Sequence, residues 1–207
     1  MPLYWLILTI LAIACAGYVL GRARALSSAG GDFRGLHSLP SYYGYNVALS
    51  IITPAFAVMI LWLLVQPLVI ERQVSAFIPE GAIAEGSSLD LVMSDVRRVA
   101  GGLTTLIETG RMTADGVAAM TVDNANIRER LGEVGVALGS NVQQEVLEAA
   151  RSYRDLSGFG GSLMWAVVLL VAAGGFAVSY AFTQKDFRAR NTVETGVLVV
   201  LIAAASI

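Results

Sequence analysis

The chain has 207 residues, and only 14% of them are charged, with a mean hydropathy of +0.66. A soluble domain carries about 25% charged residues, so lipid is part of this chain's solvent. The formal net charge of −2 gives no electrostatic footprint for nucleic acid, which is excluded as a partner. A single cysteine, Cys15, and a single histidine, His37, exclude an intrachain disulfide and a Cys/His metal centre.

Leu3 to Leu20 is an uncharged stretch of 18 residues, nine of them Leu, Ile or Val. At about 1.5 Å per residue it approaches the thickness of the hydrocarbon core. A cleaved signal peptide needs a basic region before the apolar run, whereas Arg22 and Arg24 come after it. A lipoprotein site at Cys15 fits poorly, because Ala12 stands where a larger apolar residue is wanted. The reading is a retained helix, with Gly17 and Gly21 spaced as a helix-packing notch.

Val47 to Ile70 is a second span of 24 residues without a charge, and Pro54 inside it predicts a kink. Gly161 to Phe182 is the third span. Trp165 and Tyr180 lie near its ends, and Tyr4, Trp5, Tyr42, Tyr43 and Tyr45 make similar aromatic belts for the first two. Val193 to Ile207 begins a fourth apolar run of 15 residues, about 22 Å of helix and too short to cross. Asn191 and Glu194 read as its capping box, and the expectation is a truncated fourth helix.

Between the second and third spans, the segment 71–160 reads as helical. Ser87-Ser88-Leu89-Asp90 predicts a capping box. Leu89, Val92, Met93, Val96, Val99, Ala100, Leu103, Leu106 and Ile107 then form one apolar stripe. Gly101 and Gly102 weaken this helix, and Gly110 ends it. A second helical stretch is expected over 113–138. Ser140 to Gln143 opens a third, carrying Val142, Val146, Leu147, Ala150 and Tyr153. The stripes are expected to pack on one another in a small antiparallel bundle. Ser157 to Gly161 reads as a flexible hinge before the third span, and an anion site there is the sharper alternative. Arg97, Arg98, Arg128 and Arg130 read as surface charge pairs with acids such as Asp95, Glu129 and Glu133.

Two short connectors vote on sidedness. Residues 21–46 hold Arg22, Arg24 and Arg34 against Asp32, and residues 183–192 hold Lys185, Arg188 and Arg190 against Asp186. Short loops rich in Lys and Arg stay in the cytoplasm. The amino terminus and 71–160 are then expected outside. The long segment has eight arginines and thirteen acids, and such a surface repels rather than gathers phosphate over a Debye length of about 8 Å.

No Walker A sequence occurs, Ser-His and Cys-His nucleophile systems are poorly supported, and the three spans carry no carboxylate, Lys, Arg or His. The expectation is a non-enzyme with no catalytic, cofactor-binding or metal residue, no cofactor, and no assignable substrate-binding residue. The fold class is an all-α membrane protein with three full transmembrane helices, a truncated fourth, and an extracytoplasmic helical domain between the second and third. The expected divisions are 1–70, two helices with a short cytoplasmic loop; 71–160, the outer domain; 161–183, the third helix; and 184–207, a cytoplasmic loop and the start of the fourth.

Leu36-His37-Ser38-Leu39-Pro40-Ser41-Tyr42-Tyr43-Gly44 resembles the signature between the first two helices of an amino-terminal extension on some bacterial phosphate ABC transporter permeases of the PstC type. Phe187 to Glu194, followed by Leu201 to Ile207, is similar to the entry into the first helix of that family's permease core. The resemblance covers nearly the whole chain, but only these two stretches are specific. It implies a multi-pass subunit of a high-affinity phosphate importer in a bacterial inner membrane, with 71–160 periplasmic. The implied partners are membrane lipid, a second permease subunit, an ATPase dimer and a periplasmic phosphate-binding protein. The family's transport helices and ATPase-coupling loop are expected beyond Ile207, so no transport residue is carried onto this chain. The competing reading is a membrane-anchored sensory receptor with a periplasmic helical input domain. It requires a long cytoplasmic signalling helix after the third span, where only about ten residues precede the next apolar run.

Overall fold

The computed structural model describes residues 3–76, 78, 88–122, 127–137 and 142–206. Among the described residues every regular element is helical. The order is α1 (Leu3–Ser28), a single 3-10 turn (Phe33–Gly35), α2 (Pro40–Ser75), α3 (Leu89–Glu108), α4 (Ala114–Ala118), α5 (Ile127–Glu133), α6 (Gln144–Phe182) and α7 (Ala189–Ala205). Helices α1, α2 and α6 are long and apolar enough to cross a membrane. At 36 and 39 residues, α2 and α6 exceed the roughly 20 that a bilayer core needs. The chain divides into two compact units, Met1–Trp62 with Ser162–Ile207, and Leu63–Gly161.

The first unit is held by a narrow seam. Along α1 the buried residues are Leu6, Ile10, Ala14, Gly17, Gly21 and Ala25, a repeat of three and four that keeps one stripe facing its partners. Val47, Ile51, Ala55 and Met59 of α2 and Met164, Val168 and Ala172 of α6 complete the core. The remaining surface of the spans is apolar and uncovered: only 22%, 22% and 17% of the three span windows is buried within this chain. A surface of that kind is stable only against lipid or other membrane helices.

Glycine sets how closely these helices approach. A Cβ on Gly17 would stand 2.6 Å from Ile51 Cδ1, and one on Gly21 2.6 Å from Val47 Cγ2, so the predicted notch is where α2 seats on α1. Gly44 gives the same clearance to Tyr18. Gly175 of α6 lies against the Ser50 carbonyl of α2, and a Cβ there would be 3.0 Å from the Ser50 carbonyl carbon. Helix α2 is continuous through Pro54 and Pro67.

The second unit is a helical core built on α3. Ser88 caps α3, its side chain accepting from the Leu91 amide, so the cap lies one residue later than the box predicted at Ser87. Ser87 itself is outside the described residues. At the other end Gly110 has φ +70, with the Arg111 amide on Leu106 O and the Gly110 amide on Ile107 O, a Schellman closure. Most of the predicted stripe is the core: Val92, Met93, Val96, Val99, Ala100, Leu103 and Leu106 are buried with Ile70 and Val74 of α2, Leu131 of α5, and Leu147 and Ala150 of α6. Ile107 packs against them, and Leu89 in the first turn is exposed instead. Gly102 weakens helix propensity by about 1 kcal/mol but gives α5 its seat. A Cβ there would be 2.5 Å from Leu131 Cδ2 and 3.2 Å from Val136 Cγ2, whereas Gly101 faces open space.

Two predicted boundaries are corrected. In place of one stretch over 113–138 there are two short helices. Thr113 caps α4 through Gly116 N, and α5 closes at Gly135 (φ +80), with Val136 N returning to Leu131 O. Residues 123–126 and 138, parts of that expectation, lie outside the described residues. The glycine-rich 157–161 is neither a loop nor a helix start, because α6 runs through it unbroken. Gly160 lies against Gln66, whose side chain donates to Ser157 O at 3.3 Å. Gly160 serves close packing, whereas a Cβ on Gly158 or Gly161 would meet nothing within 4 Å, and the helix-terminus anion reading has no helix terminus to stand on.

Gly175→Ala is expected to cost about 1–3 kcal/mol through forced separation of α2 and α6, with Gly174→Ala, which faces open space, near neutral. Thermal unfolding in detergent micelles reads the difference. Gly102→Val is likewise expected to destabilise by about 1–3 kcal/mol relative to Gly101→Val, measured by urea unfolding followed by circular dichroism.

Candidate functional site

The polar side chains of the first unit gather at one end. Asn46 and Ser179 are both buried, and the Asn46 amide donates to Ser179 Oγ at 2.8 Å, joining α2 to α6. A buried amide in an apolar setting costs stability unless paired, so this bond fixes the helices' rotation. Ser50 Oγ donates to Asn46 O and Thr183 Oγ1 to Ser179 O, each at 2.8 Å, so these hydroxyls are satisfied by the preceding turn.

Beyond this layer the two connectors lock together. Arg24 Nε donates to Thr183 O at 3.2 Å, and its guanidinium stands 4.4 Å over the Tyr180 ring. Tyr43, fully buried, donates from its hydroxyl to Lys185 O at 3.0 Å, and the His37 amide donates to the same oxygen at 3.2 Å. Ser38 Oγ accepts from the Arg190 amide at 3.4 Å. Ala25, Tyr43 and Ala189 are buried at the centre, with Leu36, Tyr42 and Phe187 against them. The two stretches on which the sequence resemblance rests are in contact through Ser38 and Arg190, 152 residues apart, and through Tyr43, Phe187 and Ala189.

The entry into α7 is corrected. The helix begins at Ala189, and Arg188 at its cap makes no side-chain capping bond. Asn191 lies inside the helix, and Glu194 pairs with Arg190 at 2.7 Å instead of closing a box. The docked segment 183–188 fixes where the helix starts, which local capping signals do not reveal.

The second unit has a cavity of about 580 Å³ between α3 and α6, with Arg97, Thr104, Glu108, Tyr153 and Arg154 on its wall. Arg97 pairs with Glu71 at 2.7 Å and Arg154 with Asp155 at 2.6 Å. With Glu108 also on the wall, the two cations are balanced. The charge-pair expectation holds for Arg97, though Glu71 takes the role read for Asp95. Glu133 pairs with Arg111 at 3.3 Å. Arg151 donates to Met120 O and ties the turn after α4 to α6. Among the described residues no three His, Cys, Asp or Glu side chains are grouped to hold a metal ion.

A family model described as phosphate ATP-binding cassette transporter matches residues 7–177, more than four-fifths of the chain. The chain belongs to that family. No curated protein and no solved structure matches. The phosphate-transporter match spans α1 to most of α6, including the whole second unit, which at the level of sequence is recognisable only by its order and length. It stops before Lys185, so the connector that receives Tyr43 and His37 lies outside the matched residues of this transporter-family chain.

Tyr43→Phe removes one hydrogen bond from the latch without changing its shape. The expected cost is about 0.5–1.5 kcal/mol, read as faster amide exchange across 183–190 with 92–106 unchanged.

Proposed function

We propose that this chain forms the amino-terminal extension of a transmembrane permease subunit, of the PstC type, in an ATP-driven inorganic phosphate importer of a bacterial inner membrane. The family match across residues 7–177 carries this reading, and the sequence resemblance supplies the permease type. The extension acts as a scaffold or docking element and contributes no transport residue. Its partners are lipid, a second permease subunit, an ATPase dimer and a periplasmic phosphate-binding protein. It has no enzymatic activity of its own.

The connectors 21–46 and 183–192 are cytoplasmic, and the amino terminus and 71–160 are periplasmic. Two arguments support this. Both connectors are rich in Arg and Lys, which holds short loops in the cytoplasm. The His37–Lys185 and Tyr43–Lys185 bonds support reading the two connectors on one side, and the charge rule alone supplies which side that is. The domain divisions follow: 1–70 and 161–183 in the membrane, 71–160 outside, and 184–207 leading into the permease core.

Fusion of alkaline phosphatase after Gln143 is expected to be active, and a fluorescent reporter after Arg34 is expected to light up in the cytosol. The inverse pattern overturns the topology. In the complete permease, deletion of 1–180 is expected to lower phosphate uptake or the recovery of intact transporter. Unchanged uptake together with unchanged assembly removes the docking role.

A further inference from the structure

We infer that the latched end of the first unit is a docking surface for the phosphate headgroups of anionic phospholipids, engaged by Arg22, Arg34, Lys185 and Arg188. The latch assembles this surface from two connectors far apart in sequence. Tyr43 and His37 both hold Lys185 O, and Ser38 holds the Arg190 amide, so the cations of 21–46 and of 183–192 are brought to one end of the unit. Six basic residues stand there against Asp32, Asp186 and Glu194.

Two of the six are already engaged: Arg24 on Thr183 O and the Tyr180 ring, and Arg190 on Glu194. Asp32 is engaged too, accepting from the Arg34 amide at 2.9 Å. The other four cations are exposed, and among the described residues none of them makes an ion pair. Arg34 only overhangs its neighbour Phe33, 6.0 Å from the ring. Set against Asp32 and Asp186, which make no ion pair among the described residues, these four cations leave a net charge of about +2 on a preordered scaffold, a surface prepared for anions.

Depth and composition decide for lipid. Arg22 follows the apolar run of α1 by two residues, and Lys185 follows the end of α6 at Phe182 by three. These charges therefore stand within a few residues of the hydrocarbon boundary, where headgroup phosphates lie. Phe33, Leu39 and Phe182 are interleaved with them at 59%, 64% and 66% exposure, apolar groups that insert between headgroups. The inference holds on either side of the bilayer and does not rest on the importer assignment.

The test is native mass spectrometry of the full chain in detergent, titrated with phosphatidylglycerol or with phosphatidylcholine. Retention of phosphatidylglycerol several-fold above phosphatidylcholine is expected. Arg22→Gln or Arg188→Gln alone should reduce that preference by roughly twofold or more, and the fourfold variant R22Q/R34Q/K185Q/R188Q should bring phosphatidylglycerol down to about the phosphatidylcholine level. The charge-keeping variant R22K/R34K/R188K should retain it, with circular dichroism confirming that each variant is helical. Equal retention of the two lipids overturns the inference and leaves the cations to an acidic protein surface. So does undiminished binding by the glutamine variants. Displacement of the lipid by millimolar inorganic phosphate also overturns it, in favour of a free-phosphate site.

Discussion

Between membrane helices there is little hydrophobic drive, because lipid tails are as apolar as leucine; close packing and hydrogen bonds have to hold the helices together. The first unit meets that constraint with glycines at the contacts. Gly17 and Gly21 admit Val47 and Ile51, Gly44 admits Tyr18, and Gly175 admits the Ser50 backbone. Without those approaches Asn46 would not reach Ser179, and a buried amide would be left without a partner. Close packing is therefore the condition for the polar layer, and the polar layer in turn orients the ends of α2 and α6 toward each other.

The second unit solves a different problem with different means. Its core is a water-soluble kind of core, an apolar stripe on α3 covered by α5 and by parts of α2 and α6. Burial of side chains as large as Leu103, Leu106, Leu131 and Leu147 contributes roughly 1.5–3 kcal/mol each. Charge pairs at its surface, all substantially exposed on at least one partner, add little by comparison. Because α2 and α6 supply residues to the cores of both units, neither apolar run alone marks where the helix begins or ends.

That explains which parts of the fold were legible. The three spans and the α3 stripe could be read because hydropathy and a 3.6-residue period are local signals. So could the end of α3 at Gly110, where a positive φ favours glycine, and the notch at Gly17 and Gly21. The division of 113–138 into α4 and α5 was not legible, since five- and seven-residue helices carry too short a period to register. The glycine-rich stretch 157–161 was misread because glycine signals a loop when only the local chain is considered. Here the contact of Gly160 with Gln66, 94 residues away in sequence, keeps the helix going. The latch was invisible for the same reason: its strongest contacts run from side chains of one connector to backbone oxygens of another, and a carbonyl leaves no mark in an amino-acid sequence.

Those carbonyls are also why the latch stands where it does. Carbonyls in and just past the last turn of a helix have no intrahelical partners, so other parts of the chain or water must supply the donors. Just past the end of α6, Thr183 O is taken by Arg24 and Lys185 O by both Tyr43 and His37. The same bonds that satisfy those oxygens turn the chain toward Ala189 and start α7. A substitution that breaks them would both leave polar groups unpaired and loosen the start of α7. The short connector 183–188 is thus constrained by its backbone more than by its side chains, which leaves Lys185 and Arg188 free to face outward and act on whatever surrounds this end of the helices.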